Sequence, residues 1–176
     1  MGQIFYNSLI QYIMMYYKSA LVFSITICCL NVLAGKLYVF YETKNTPVLF
    51  FFAIYIYSVL VITILSRKGT YISEINLIPL GNFYNSEWER MCFYTNIILF
   101  FPMPVFLYSL YPALRNFYKC ILLGFIISTG IEISQFILHC GWCDIDDIIS
   151  NILGMTLGWL CSHTAYQVKK HFSNDS

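Results

Sequence analysis

Between residues 132 and 158 the chain sets Glu132, Gln135, His139, Asp144, Asp146, Asp147 and Asn151 into segments otherwise apolar enough to span a bilayer. An ionisable group at membrane depth is costly, so by default it marks function. Carboxylates and amides in this pattern suit three kinds of work. They can receive a cationic or hydrogen-bonding head group. They can support general-base chemistry, with burial raising the proton affinity of Glu132 and aspartates holding a divalent ion through oxygen. They can also lock helices together as polar glue. No arrangement of a Ser, Cys or His nucleophile accompanies the acids, and no cofactor or resident metal is expected. Glu132 and Asp147 are the two acids that would carry any catalysis.

Spacing says how these groups can meet. Ser128, Glu132, Gln135 and His139 fall at i, i+4, i+7 and i+11, a single stripe if the helix runs that far. Glu132 is six residues from Leu138, so at 1.5 Å per residue it lies about 9 Å inside the helix end, within reach of water from the loop. Asp144, Asp147, Asn151, Gly154 and Gly158 make a second stripe if a helix begins near Asp144. Asp144 suits an N-cap, and acids in a first turn are favoured by the helix dipole, but three acids in four residues exceed what capping needs. Gly154 and Gly158 form a small-xxx-small pattern for close helix packing, expected to bring Asn151 against the preceding helix, where Asn151 and Gln135 can hydrogen-bond.

The elements that must position them are membrane helices. The chain has 176 residues, 59% of them hydrophobic and 11% charged, with a mean hydropathy of +0.66, outside the range of soluble domains. Apolar windows run from about Ser19 to Tyr38, Pro47 to Leu65, Met91 to Leu110, Cys120 to Leu138 and Ile148 to Tyr166, each near the ~20 residues of a spanning helix. The reading is an all-α bundle of about five spans. It divides into an N-terminal membrane segment 1–45, a membrane domain 46–168 and a short polar tail 169–176. No cleavable signal peptide is expected, because the first seventeen residues carry no Lys or Arg.

Lys and Arg counts set the orientation. Six fall in the connections 36–46 and 111–119 and the C-terminal tail, against four on the opposite side, which favours an external N terminus and a cytoplasmic C terminus. In either orientation the connections 66–90 and 139–147 lie on one face, and the unusual polar residues gather there. The first of them holds an apolar-aromatic patch from Ser73 to Phe83, punctuated by Pro79 and Gly81, that is expected to fold onto the bilayer surface. Asn96 stands at the start of the third helix, which Pro102 and Pro104 kink.

Asn76-Leu-Ile-Pro79, Asn96-Ile-Ile-Leu-Phe-Phe-Pro102, Glu132-Ile-Ser-Gln135, Asp144-Ile-Asp-Asp147, Asn151 and Gly154 follow one another in an order and spacing that resemble the VanZ-like membrane family, over about residues 55 to 165. The resemblance implies a role in resistance to glycopeptide antibiotics, teicoplanin more than vancomycin, and supplies no mechanism. It points to Asn76, Pro79, Asn96, Glu132, Gln135, Asp144, Asp147 and Asn151 as binding residues. Many family members carry Arg a few residues before the acidic run. This chain has Gly141 there, and if that Arg pairs with the acids in those members, the charge balance here must differ. The ligand expected on physical grounds is an amphiphile at the outer leaflet: a membrane lipid, a lipid-bearing glycopeptide or a lipid-linked cell-wall precursor.

Two rival readings remain. Cys140-Gly-Trp-Cys143 has the spacing of a redox dithiol and sits on the same connection, which permits a membrane thiol-disulfide protein, although no second cysteine pair accompanies it. A lipid-directed membrane enzyme is the other. Nucleic acid is not a partner: the net charge is +1 and no basic stripe exists to neutralise phosphates.

Overall fold

Residues 46 to 65 offer no polar face, and in the computed structural model they form helix α1, Thr46–Leu60, closed by a π-helical turn, Val61–Leu65. The structure describes residues 46–65, 67, 74–81 and 87–174; the expected first helix, Ser19–Tyr38, and the segment 1–45 lie outside the described residues. Two compact units divide the chain, Met1–Ser66 and Arg67–Ser176. Helix α1 belongs to the first. Two of its hydroxyls are absorbed locally, Ser58 donating to the carbonyl of Ile54 at 2.9 Å and Thr63 to that of Val59 at 2.8 Å, which spares the apolar surface those two unpaired donors.

The second unit contains strand β1 (Ile75–Asn76), helices α2 (Glu87–Phe100) and α3 (Pro102–Leu110), a 3-10 turn (Pro112–Arg115), helix α4 (Phe117–Ile137), strand β2 (Cys143–Asp144) and helix α5 (Ile145–Asn174). The expected third helix is thus two. Pro102 has no N–H to give the preceding turn and takes the first position of α3, where that donor is not needed. Phe101 keeps a right-handed helical backbone and donates to the carbonyl of Ile97 at 3.0 Å. The break is therefore a kink, and Asn96 lies inside α2 rather than at its start.

Helix α4 is capped at its start by the Asn116 side chain, which accepts the Lys119 N–H at 3.1 Å. It ends where His139 adopts a left-handed conformation, φ 50°, and Cys140 donates back to the carbonyl of Gln135 at 3.0 Å. His139 therefore leaves the helix and faces solvent, so the polar stripe stops at Gln135. Inside, α4 buries Cys120, Gly124, Ser128, Ile131, Glu132 and Gln135. Outside, it exposes Tyr118, Leu122, Phe125, Ile126, Ile133 and Ile137. Small and polar residues inward with large apolar ones outward is the pattern of a helix solvated by lipid.

Among the described residues, three segments are long and apolar enough to cross a membrane: Pro47–Leu65, Glu87–Leu110 and Phe117–Ile137. These correspond to three of the expected windows, and the chain is an all-α membrane protein. The expected last span, Ile148–Tyr166, falls within α5, whose 30 residues include Asp146, Asp147, Asn151 and His163 and carry the polar tail in helical form as far as Asn174. Helix α5 packs against α2, α3 and α4. A Cβ added to Gly154 would overlap the carbonyl oxygen of Ile97, and one added to Gly158 that of Phe101. The two glycines therefore admit the α2–α3 backbone, not that of α4 as the sequence reading had it. Against α4 the close contact is instead Gly124 with Met155.

Strands β1 and β2 pair in parallel with Ile75 opposite Cys143 and Asn76 opposite Asp144. The Cys143 N–H donates to the carbonyl of Glu74 at 2.9 Å. This short ladder ties the loop before α2 to the loop before α5 at one end of the unit.

A buried carboxylate and amide cluster at one end of the helices

The cluster forms where α4 ends and α5 begins. Glu132, one and a half turns from the end of α4, is 2% exposed. One oxygen of its carboxylate accepts the backbone N–H of Asp144 at 3.0 Å. Asp144 in turn caps α5: its Oδ1 accepts the Asp146 N–H at 2.9 Å and the Asn76 side-chain amide at 3.3 Å. The capping reading of Asp144 is therefore met, and the same oxygen also holds the neighbouring loop.

That loop, residues 74–81, is secured at both ends of its apolar tip. Asn76 uses its amide nitrogen on Asp144 and its oxygen to accept the Ile78 N–H at 3.2 Å. Asp146 accepts the Leu80 N–H, with Leu80 in a left-handed conformation, φ 58°. Between these anchors Leu77 and Ile78 are 66% and 69% exposed, and Pro79 is exposed beside them. Asp147 points the other way and accepts the Asn96 amide of α2 at 2.7 Å. The three aspartates thus have three partners, which accounts for more acid than capping requires. Each carboxylate holds an N–H donor, so the group reads as a set of acceptors frozen in place. Among the described residues no group of three His, Cys, Asp or Glu is placed to hold one metal ion.

A cation enters from the same unit. Arg67 acts electrostatically on both Asp147 and Glu132, and its Nη1 lies 3.3 Å from the position a Cβ on Gly141 would take. Gln135 Oε1 stands at the same distance from that position. Arg67 and Gln135 thus close over the backbone of Gly141, where a side chain would have to displace them.

Deeper in the unit, the Asn151 amide donates to Ser128 Oγ at 2.9 Å. Asn151 therefore does reach α4, through Ser128 and not through Gln135. Its own Oδ1 is buried without a hydrogen bond. Of the residues singled out in the sequence, Asn76, Asn96, Glu132, Asp144 and Asp147 form one network, with Gln135 beside Arg67 and Gly141. Asn151 lies further along α5, and Pro79 sits at the exposed loop tip. Arg67, Asp146 and Ser128 were not picked out as site residues. Asp146 was masked by its bland first-turn position, and Arg67 entered only as one of the four basic residues counted against the cytoplasmic side.

The cysteines of the Cys140-Gly-Trp-Cys143 segment are unbonded, and their backbone amides serve the α4 cap and the β1–β2 ladder. Burial, and then the carboxylates of Glu132 and Asp144, push the Cys143 thiol above its ordinary range. A nucleophilic thiolate needs the opposite surroundings.

A family model described as VanZ/LLP1 matches residues 48–166. No curated protein matches the chain, and no solved structure does.

Proposed function

Because the chain belongs to the VanZ/LLP1 family, we propose that it lowers susceptibility to glycopeptide antibiotics, teicoplanin above all, by binding an amphiphile at the outer leaflet of the cell membrane. The observation that carries this reading is the apolar tip Leu77–Leu80, presented outward from a network of buried carboxylates and amides. An acyl chain meets the tip, and the acidic end with Arg67 meets a polar head. A lipid-bearing glycopeptide or a lipid-linked cell-wall precursor has both parts.

Orientation follows from the same end. Placing it outside leaves Arg115, Lys119, Lys169 and Lys170 on the cytoplasmic side, as the positive-inside rule favours. Binding is preferred to chemistry because each acid of the cluster is engaged by an N–H donor. The raised Cys143 thiol argues against the dithiol alternative.

The test is the minimum inhibitory concentration of teicoplanin and vancomycin in a susceptible host expressing the chain, with Glu132→Gln and Asp147→Asn at matched membrane levels. A rise for teicoplanin that both variants abolish is expected. Resistance that persists unchanged in both variants removes the cluster from the function, and no rise with the parent chain removes the antibiotic role.

A further inference from the structure

We propose that the cation and ring cluster around Arg115, at the end of the helices opposite the acids, binds the phosphate group of an anionic phospholipid. This site is independent of the antibiotic reading. Arg115 closes the 3-10 turn after α3, and its Nε donates at 3.2 Å to the carbonyl of Tyr108, one of the carbonyls that the last turn of α3 leaves without a helical partner. Its guanidinium lies over the Tyr166 ring at 4.9 Å and over the Tyr108 ring at 5.6 Å. These rings are themselves fixed. The Tyr108 hydroxyl meets His163 Nδ1 at 3.1 Å, and His163 stacks on Trp159 with centroids 4.7 Å apart. Trp159 rests in turn on Phe117 at 5.1 Å. Elements α3, α4 and α5 therefore set the plane of one guanidinium before any ligand arrives.

The ion pair of Arg90 with Glu87 lies at the far end, and among the described residues no Asp or Glu forms an ion pair with Arg115. The fork of its terminal nitrogens matches two oxygens of a phosphate. Further cations extend the site: Lys119 follows four residues on, and Lys169 and Lys170 stand three and four residues beyond Tyr166, all exposed. The described carboxylates, Glu74, Glu87, Glu89, Glu132, Asp144, Asp146 and Asp147, belong to the other half of the unit.

The surroundings select a lipid over a free ion. Tyr118, three residues after Arg115, is 80% exposed, and the exposed apolar residues Leu122, Phe125 and Ile126 continue from it along α4. A head group at Arg115 thus has a track for its acyl chain, and Tyr111 and Tyr118 supply rings suited to head-group depth. Inorganic phosphate would use the cation and leave the track empty.

The chain has three tryptophans, so a Trp88→Phe/Trp142→Phe background leaves Trp159 as the reporter inside the cluster. The full chain is reconstituted in phosphatidylcholine bilayers, and lipids brominated on the acyl chain are titrated in. Brominated phosphatidylglycerol is expected to quench Trp159 at a mole fraction about fivefold lower than brominated phosphatidylcholine, the preference that roughly one well-placed cation gives. Arg115→Gln is expected to erase the preference and keep the phosphatidylcholine response. Where that variant fails to fold, Arg115→Lys keeps the charge and loses the fork, and a reduced preference is expected. Equal quenching by the two lipids overturns the proposal, as does a preference that survives unchanged in either variant. Inorganic phosphate that restores Trp159 emission by displacing brominated phosphatidylglycerol as fully as unlabelled phosphatidylglycerol does overturns the lipid assignment.

Discussion

Glu132, buried in the body of α4, accepts the backbone N–H of Asp144 at 3.0 Å, twelve residues further along the chain. The bond closes the path from the end of α4 to the start of α5 and fixes the carboxylate by main-chain geometry. Substitutions here separate charge from structure. Glu132→Gln still offers an oxygen to the Asp144 N–H and is expected to hold its melting temperature in detergent close to the parent. Glu132→Ala leaves that donor buried and unmet, at a cost of about 1–3 kcal/mol, and is expected to melt lower. If Glu132→Gln melts as low as Glu132→Ala, the charge itself supports the fold and loss of function in either variant says nothing about a ligand.

Asp146 sets the hold on the loop. It accepts the Leu80 N–H, whereas the tip residues Leu77 and Ile78 bury little of their own surface. With few apolar contacts to retain it, the loop depends on its polar anchors. Asp146→Ala is expected to speed amide hydrogen exchange over residues 77–81 about tenfold, the equivalent of losing one hydrogen bond. Exchange in the middle of α5, around Met155, is expected not to change. Uniform acceleration along α5 would mean that Asp146 stabilises the helix start and not the loop.

Particular residues show what the sequence disclosed. Windows of apolar residues located α2–α3 and α4 closely because a bilayer demands such runs. The spacing of Glu132 and Gln135 placed both on the inner face of α4, since 3.6-residue periodicity is local information. His139 broke that pattern because a left-handed backbone at a non-glycine residue has no reliable sequence signal. The partner of Gly154 and Gly158 was not legible either: a small-xxx-small pattern says that a backbone approaches, not which one. Arg67 was missed for a related reason, since its distance in sequence from the acids conceals its proximity to them.

Cys143 provides a reading of the cluster's field. Burial first, and then Glu132 and Asp144, disfavour its thiolate. A thiol pushed upward is less ionised at any pH near neutrality, so alkylation of Cys143 by iodoacetamide at pH 7.5 is expected to be slower than that of free cysteine. The rate should climb as pH rises past the ordinary thiol range. Asp144→Asn removes one of the opposing charges and is expected to accelerate the reaction at fixed pH. A rate that equals free cysteine, or that Asp144→Asn leaves unchanged, would place the negative charge elsewhere.

Gly141 and Arg67 are expected to behave as one unit. A Cβ at position 141 would stand 3.3 Å from both Arg67 Nη1 and Gln135 Oε1, so Gly141→Val pushes the guanidinium from the acids and reproduces much of what Arg67→Gln does. Residues that share a contact are coupled by about 0.5–3 kcal/mol. The double variant should therefore melt no lower than the worse of the two single ones. A cation returned from the other side gives the sharper comparison. In Arg67→Gln/Gly141→Arg the new guanidinium starts beside Gln135, within a side chain's reach of Asp147 and Glu132, and is expected to recover at least half of the melting temperature lost in Arg67→Gln. Additive losses in the first double variant together with no recovery in the second would show that Arg67 is held by the loop alone, and that the carboxylates are balanced without it.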